Sequence, residues 1–202
     1  MSIRQIQEAV KGVIQYYSEN PGKQPRRKRT GHWVDRSRRA PQAAGYGPIA
    51  TENQALSEDK PATATVKEGL RCRATGGPGF ELVSDMPKGI GGGATAPTPG
   101  WFFRAALANC DATMIALRAA ELGITLTTLE VTVSSTSDSR GLVQLDDSIH
   151  AGPLNVRVHV KLGGEGVSKE QLHQLVEWAE RHSPIGDAIS RAVPLKVSVE
   201  VV

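Results

Sequence analysis

From Trp101 to Leu122 the chain contains neither glycine nor proline, while Pro97, Pro99 and Gly100 precede this stretch and Gly123 follows it. Such punctuation predicts a long helix that begins after the glycine-rich run Gly91-Gly92-Gly93 and stops at Gly123. At 3.6 residues per turn, Phe103, Ala106/Leu107, Cys110, Met114 and Leu117 share one stripe, and Arg104, Asp111, Arg118 and Glu121 point away from it. The expected core face therefore carries a thiol. Cys110 is either a small hydrophobe filling the seam or a reagent.

A chain of 202 residues with 39% hydrophobic content is long enough for one good core and too short for two large ones. No run approaches the roughly 20 apolar residues that cross a bilayer, and the start at Met1-Ser2-Ile3-Arg4 lacks the apolar run of a secretory signal. A cytoplasmic protein without a membrane partner is expected. Cys72 and Cys110 are the two cysteines, with no CxxC and no disulfide framework, so both are expected as thiols. His32, His150, His159, His173 and His182 show no HxH, HxxxH or HExxH spacing, so no metal site is expected. No cofactor is implied either, because the glycines lack a phosphate-loop pattern.

The net charge of +3 hides an asymmetry. Residues 1–49 carry ten Lys/Arg against three acids, and the remainder carries fourteen against eighteen. Ile3, Ile6, Val10, Val13/Ile14 and Tyr17 predict an amphipathic helix over 2–18, and the basic, proline-punctuated stretch from Lys23 to Pro48 reads as an arm. The expected organisation is an N-terminal helix and arm over 1–55 and a folded domain over 56–202. The arm has no nucleic-acid reading motif, so its charge supports only non-specific phosphate contact, and nucleic acid is not an expected partner.

From Ala62 the pattern changes to alternation. Ala62–Val66, Leu70–Ala74 and Phe80–Ser84 predict a meander with a turn at Gly76-Gly77-Pro78-Gly79. After the Cys110 helix, Leu129–Val133, Leu142–Leu145 and Asn155–Leu162 read as strands. Ser168-Lys169-Glu170-Gln171 is a capping box opening a second helix that ends near His182. Pro184 then starts a short helix with Ser183 as its N-cap, and Leu195–Val201 is expected to close the chain as a strand. Strands grouped around two helices indicate an α+β domain with antiparallel pairing.

This order resembles the OsmC-like family, which includes the organic hydroperoxide resistance proteins. The resemblance covers about residues 62–202 and rests on Asp85-Met86-Pro87, Gly91-Gly92-Gly93, Pro99 with Ala105–Cys110, Ala119–Ile124 and His182-Ser183-Pro184-Ile185. It implies antiparallel sheets around two long central helices in an intertwined homodimer. It also implies that Cys110 is the peroxidatic thiol, which attacks an organic hydroperoxide and becomes a sulfenic acid. The family's second cysteine, before a proline, falls at Ser183. Its arginine after a double glycine falls at Pro78, and its glutamate ten residues before the first cysteine falls at Gly100.

Core packing is the simpler role for Cys72, on a strand face with Leu70 and Ala74; a resolving thiol for Cys110 is the alternative, with Arg71 or Arg73 as a source of positive charge. Ser183 reads as a cap rather than a nucleophile, because His182 is adjacent in sequence and not thereby within reach. The functional expectation is thiol redox chemistry at Cys110 in the oxidative stress response, with an organic hydroperoxide as substrate and a small thiol or protein as reductant. The alternative is a non-catalytic member binding an apolar ligand or a protein partner, with Trp101, Phe102 and Phe103 as its surface.

Overall fold

Two antiparallel sheets form where the sequence alternates. In the computed structural model, which describes Glu19 and residues 58–142 and 147–202, the chain divides into Met1–Asp59 and Lys60–Val202. The helix expected over 2–18 and the basic arm lie outside the described residues. In the second unit β1 (Ala62–Glu68), β2 (Arg71–Gly76) and β3 (Phe80–Ser84) make a meander in the order β1-β2-β3. Val66, Cys72 and Ser84 stand abreast in its register, as do Ala64, Ala74 and Leu82. A second sheet pairs β4 (Leu126–Thr136) with β5 (Asn155–Gly164), setting Leu129 against Leu162, Val131 against Val160 and Val133 against Val158.

A loop held from within connects the meander to the first long helix. The carboxylate of Asp85 accepts hydrogen bonds from Met86 N (2.7 Å), Gly93 N (3.2 Å), Thr95 N (3.0 Å) and Thr95 Oγ1 (2.7 Å). These bonds hold it well below the usual carboxylate range, at about 2, with Thr95 the largest contributor. Gly92 has no room for a side chain: a Cβ there would lie 1.9 Å from Met86 O. The triple glycine is thus a close-approach requirement at its middle position.

The helix α1 (Pro99–Glu121) starts as its punctuation predicts, with Thr98 Oγ1 accepting from Trp101 N at 3.2 Å and proline at the first position. It ends in a Schellman motif: Gly123 at φ +71° lets Ile124 N reach Ala119 O at 2.8 Å and Gly123 N reach Ala120 O at 3.2 Å. A helical turn, α2 (Ser139–Leu142), follows β4; Asp138 caps it by accepting from Arg140 N at 3.0 Å. The helix α3 (Lys169–His182) opens with the expected reciprocal box between Ser168 and Gln171, and α4 (Pro184–Ser190) follows at once. α1 packs on β4, α3 and α4, and the core is Leu107, Ile115, Ala119, Ala120, Leu175 and Ala179. Alanines at this seam let the helix backbones approach.

The structure corrects three sequence expectations. Leu142 belongs to α2 instead of a strand, because Asp138 caps a helical turn; the rest of the expected segment lies outside the described residues. Residues 192–202 form no strand, and Leu195 (87% exposed), Val197, Val199 and Val201 stand in solvent. An alternating segment becomes a strand only when a neighbour takes its backbone groups, and none of the described residues does so there. Finally, the most buried face of α1 runs through Leu107, Asp111, Ile115 and Ala119, so Asp111 points inward. Arg104, also expected to face away, reaches across to Ser135 Oγ on β4 at 3.2 Å.

Candidate functional site

Cys110 lies midway along α1 and is a free, half-buried thiol. α4 begins against this point. Ser183, which is completely buried, donates its hydroxyl to Cys110 Sγ at 3.2 Å. It is placed there by local structure: α3 ends at His182, and Pro184 restarts a helix whose N-cap is Ser183. The Oγ accepts from Gly186 N at 3.1 Å, which is the capping role expected of it.

A carboxyl completes the cluster. Asp111, the next residue along α1, is 5% exposed. Burial pushes its carboxyl up from the ordinary value, and the Ser183 hydroxyl acts in the opposite direction. Both oxygens lie near the bare Cα of Gly186, where a Cβ would meet Ser183 Oγ at 3.1 Å and Asp111 Oδ1 at 3.9 Å. The buried hydroxyl of Ser183 is held by Cys110 Sγ and Gly186 N.

Positive charge is engaged elsewhere. Arg71 donates to Thr95 Oγ1 (2.9 Å), Arg73 pairs with Glu81 (2.6 Å), and Arg118 pairs with Glu121 while lying 5.1 Å from the Trp178 ring. Pro78 lies in the turn between β2 and β3, and Gly100 in the first turn of α1. Cys72 is a free thiol on β2, abreast of Val66 and Ser84. His182 turns from Ser183 to stack on Trp178, with ring centroids 4.1 Å apart and Nδ1 donating to Trp178 O at 2.7 Å. Among the described residues, no group of three or more His, Cys, Asp and Glu is placed to hold a metal.

The structure thus brings Cys110 and Ser183 together, and it buries Asp111, which helical periodicity placed on the outer face. A signal for Asp111 was present: Leu107, Ile115 and Ala119 flank it at i−4, i+4 and i+8. Its charge concealed a position on the core row.

The model for the OsmC-like protein family matches residues 91–198, which include α1, both strands of the second sheet, α3 and α4. Similar solved structures include the OsmC-like protein of Mycoplasma pneumoniae, with TM-score 0.58 and 17% identity over 68% of this chain and 91% of that one. An OsmC-like protein of unknown function from Vibrio cholerae gives TM-score 0.55 and 13% identity over 65% and 94%. An organic hydroperoxide resistance protein of Elizabethkingia anophelis gives 0.50 and 21% over 66% and 89%. No curated protein sequence matches the chain. With the family model spanning more than half of its residues, this chain belongs to the OsmC-like family.

Proposed function

We propose that this protein reduces organic hydroperoxides with Cys110 as its working thiol, and that an external thiol closes the cycle. The observation carrying this reading is the 3.2 Å contact between Cys110 Sγ and the buried hydroxyl of Ser183. The functional helix meets the serine-proline junction at the spacing that side chains about to be cross-linked need, yet one partner is an oxygen. A hydroxyl cannot resolve a sulfenic acid into a disulfide.

The chemistry balances with one cysteine. The Cys110 sulfur attacks the terminal peroxide oxygen: an S–O bond forms, the O–O bond breaks, sulfur loses two electrons, and the alkoxide takes up the thiol proton to leave as an alcohol. A small thiol or a protein thiol then displaces water from the sulfenic acid to give a mixed disulfide. A second thiol releases Cys110 with an external disulfide as product. The reading belongs to the defence against organic hydroperoxides, in a reducing cytoplasm that returns both cysteines to thiols. The name of the Elizabethkingia anophelis relative supports the same substrate class.

A second copy of the chain is part of this proposal. Val66 (63% exposed), Phe80 and Leu82 share the apolar face of the meander, and the alternating tail from Leu195 to Val201 has its backbone without a sheet. A homodimer covering both removes that apolar surface from water and pairs the tail. Sedimentation of the full chain as a dimer is expected, and a monomer at micromolar concentration overturns this part.

The test of the activity is consumption of cumene hydroperoxide with a monothiol reductant. Loss of turnover in Cys110→Ser supports the proposal, and equal rates in the two proteins sink it. Mass mapping after peroxide treatment addresses the other thiol, because a Cys72–Cys110 linkage would replace the one-cysteine cycle with a two-cysteine one. A second reading, a non-catalytic binder of an apolar ligand or protein, is favoured by Trp101. This side chain is half exposed at the start of α1, with its ring 5.6 Å from that of Phe102 in an edge-on contact. Peroxide-inert Cys110 together with ligand-dependent Trp101 fluorescence would select that reading.

A further inference from the structure

We propose that the Ser183 hydroxyl decides the fate of oxidised Cys110, steering its sulfenic acid toward a reducing thiol and away from a second peroxide. The hydroxyl has one proton and two lone pairs. A lone pair accepts from Gly186 N at 3.1 Å, and the proton is donated to Cys110 Sγ at 3.2 Å. Gly186 leaves this arrangement room, because a Cβ on it would lie 3.1 Å from Ser183 Oγ. Ser183 is completely buried, so bulk water does not compete for its proton.

A sulfenic acid has two onward reactions, and they ask opposite things of the sulfur. In the first, an external thiolate attacks it: an S–S bond forms, the S–O bond breaks, and the departing hydroxide is protonated to water. The electron pair comes from the incoming thiolate, so the Cys110 sulfur is the electrophile and is reduced. In the second, the sulfur attacks a peroxide: another S–O bond forms, the O–O bond breaks, and sulfur loses two more electrons. The departing oxygen takes one proton from the oxidised sulfur's hydroxyls and leaves as an alcohol or water, and the product is a sulfinic acid. A hydrogen bond donated to sulfur withdraws electron density from it, which favours the first reaction and opposes the second. Such steering suits a one-cysteine cycle, in which no neighbouring thiol removes the sulfenic acid.

The inference rests on Cys110 being the working thiol, but its test reads how one oxidised thiol divides between two products. Absent turnover of cumene hydroperoxide therefore fails that reading, and an unchanged division fails this one. The full chain carrying Cys72→Ser has Cys110 as its sole thiol. Hydrogen peroxide converts it to the sulfenic acid, and intact mass then follows sulfinic acid formed with further peroxide and mixed disulfide formed with 2-mercaptoethanol. Adding Ser183→Ala is expected to speed the sulfinic acid about threefold and slow the mixed disulfide about threefold, as loss of one hydrogen bond allows.

Opposite signs are the mark of the hydroxyl, because a loosened α4 would expose the sulfur and speed both reactions. Two rates that rise together overturn the proposal, as do two rates that stay unchanged. Ser183→Gly, which also lacks the hydroxyl and keeps a tolerated N-cap, reads the same division where the alanine variant does not fold.

Discussion

Ser183 and Cys110 are 73 positions apart in sequence and 3.2 Å apart in space, joined by a hydroxyl-to-sulfur hydrogen bond between the start of α4 and the middle of α1. The contact fixes where α4 meets α1, and it defines what the thiol has as a neighbour. A serine makes that neighbour a donor and a cap rather than a redox partner.

Ser183→Cys should turn this contact into a disulfide. The terminal atoms already touch, so the separation between the side chains is near what a cross-link requires, and modest rotamer changes suffice. One equivalent of peroxide is expected to yield a protein lighter by two hydrogens, with peptide mapping locating the bond at 110 and 183. A sulfenic acid that persists at Cys110 in this variant would contradict the geometry.

Asp111→Asn should raise the melting temperature at neutral pH by a few degrees. The sign follows from burial, which raises the carboxyl of Asp111 in the folded chain above its ordinary 3.8. A group raised in this way contributes stability below its unfolded value and loses it as pH rises through its folded one. The asparagine removes that loss, so the two proteins should converge near pH 4 and separate toward neutrality. Differential scanning calorimetry across this range checks both the sign and the window.

Asp85 should act in the opposite direction. Its carboxylate lies at about 2 in the folded chain against an ordinary 3.8, so the stability it contributes is present above pH 4 and falls away between about 4 and 2. Asp85→Asn is expected to lower stability at neutral pH and to show less acid destabilisation than wild type between those values. Urea unfolding at a series of pH values measures the difference.

Gly92→Ala should cost about 3 kcal/mol, the upper part of the range for overpacking, because the added methyl would lie 1.9 Å from a backbone oxygen of Met86. No rotamer relieves a clash with backbone. Gly89→Ala, where a Cβ would meet nothing within 4 Å, is expected to change stability little. Comparing the two by chemical denaturation isolates the close approach from loop entropy.

Ile115→Ala should cost about 3 kcal/mol, in the range for emptying a buried aliphatic site. Ile115 is 1% exposed and belongs to the seam with Leu175 and Ala179. A loss below about 1 kcal/mol in equilibrium unfolding would show that the core is elsewhere.

The sequence alone determined α1, α3 and α4, because their signals are local. Pro99 and Gly123 bound α1, Ser168 and Gln171 close a box that involves only their own turn, and Ser183 caps the turn that Pro184 begins. It also determined the meander and the strands around Val131 and Val158, where alternation and a hairpin turn report directly on pairing. The resemblance to the OsmC-like family, carried by the order of those motifs, was legible for the same reason. Tertiary structure decided what depends on partners distant in sequence. The tail from Leu195 has a strand's alternation and, among the described residues, no strand paired with it, so pattern without a neighbour gave no sheet. Helical periodicity placed Asp111 outward, yet α3 and α4 pack against α1, and the residue is buried. Periodicity locates a residue on a helix, but only packing decides which face is covered and which polar atoms are left with one another.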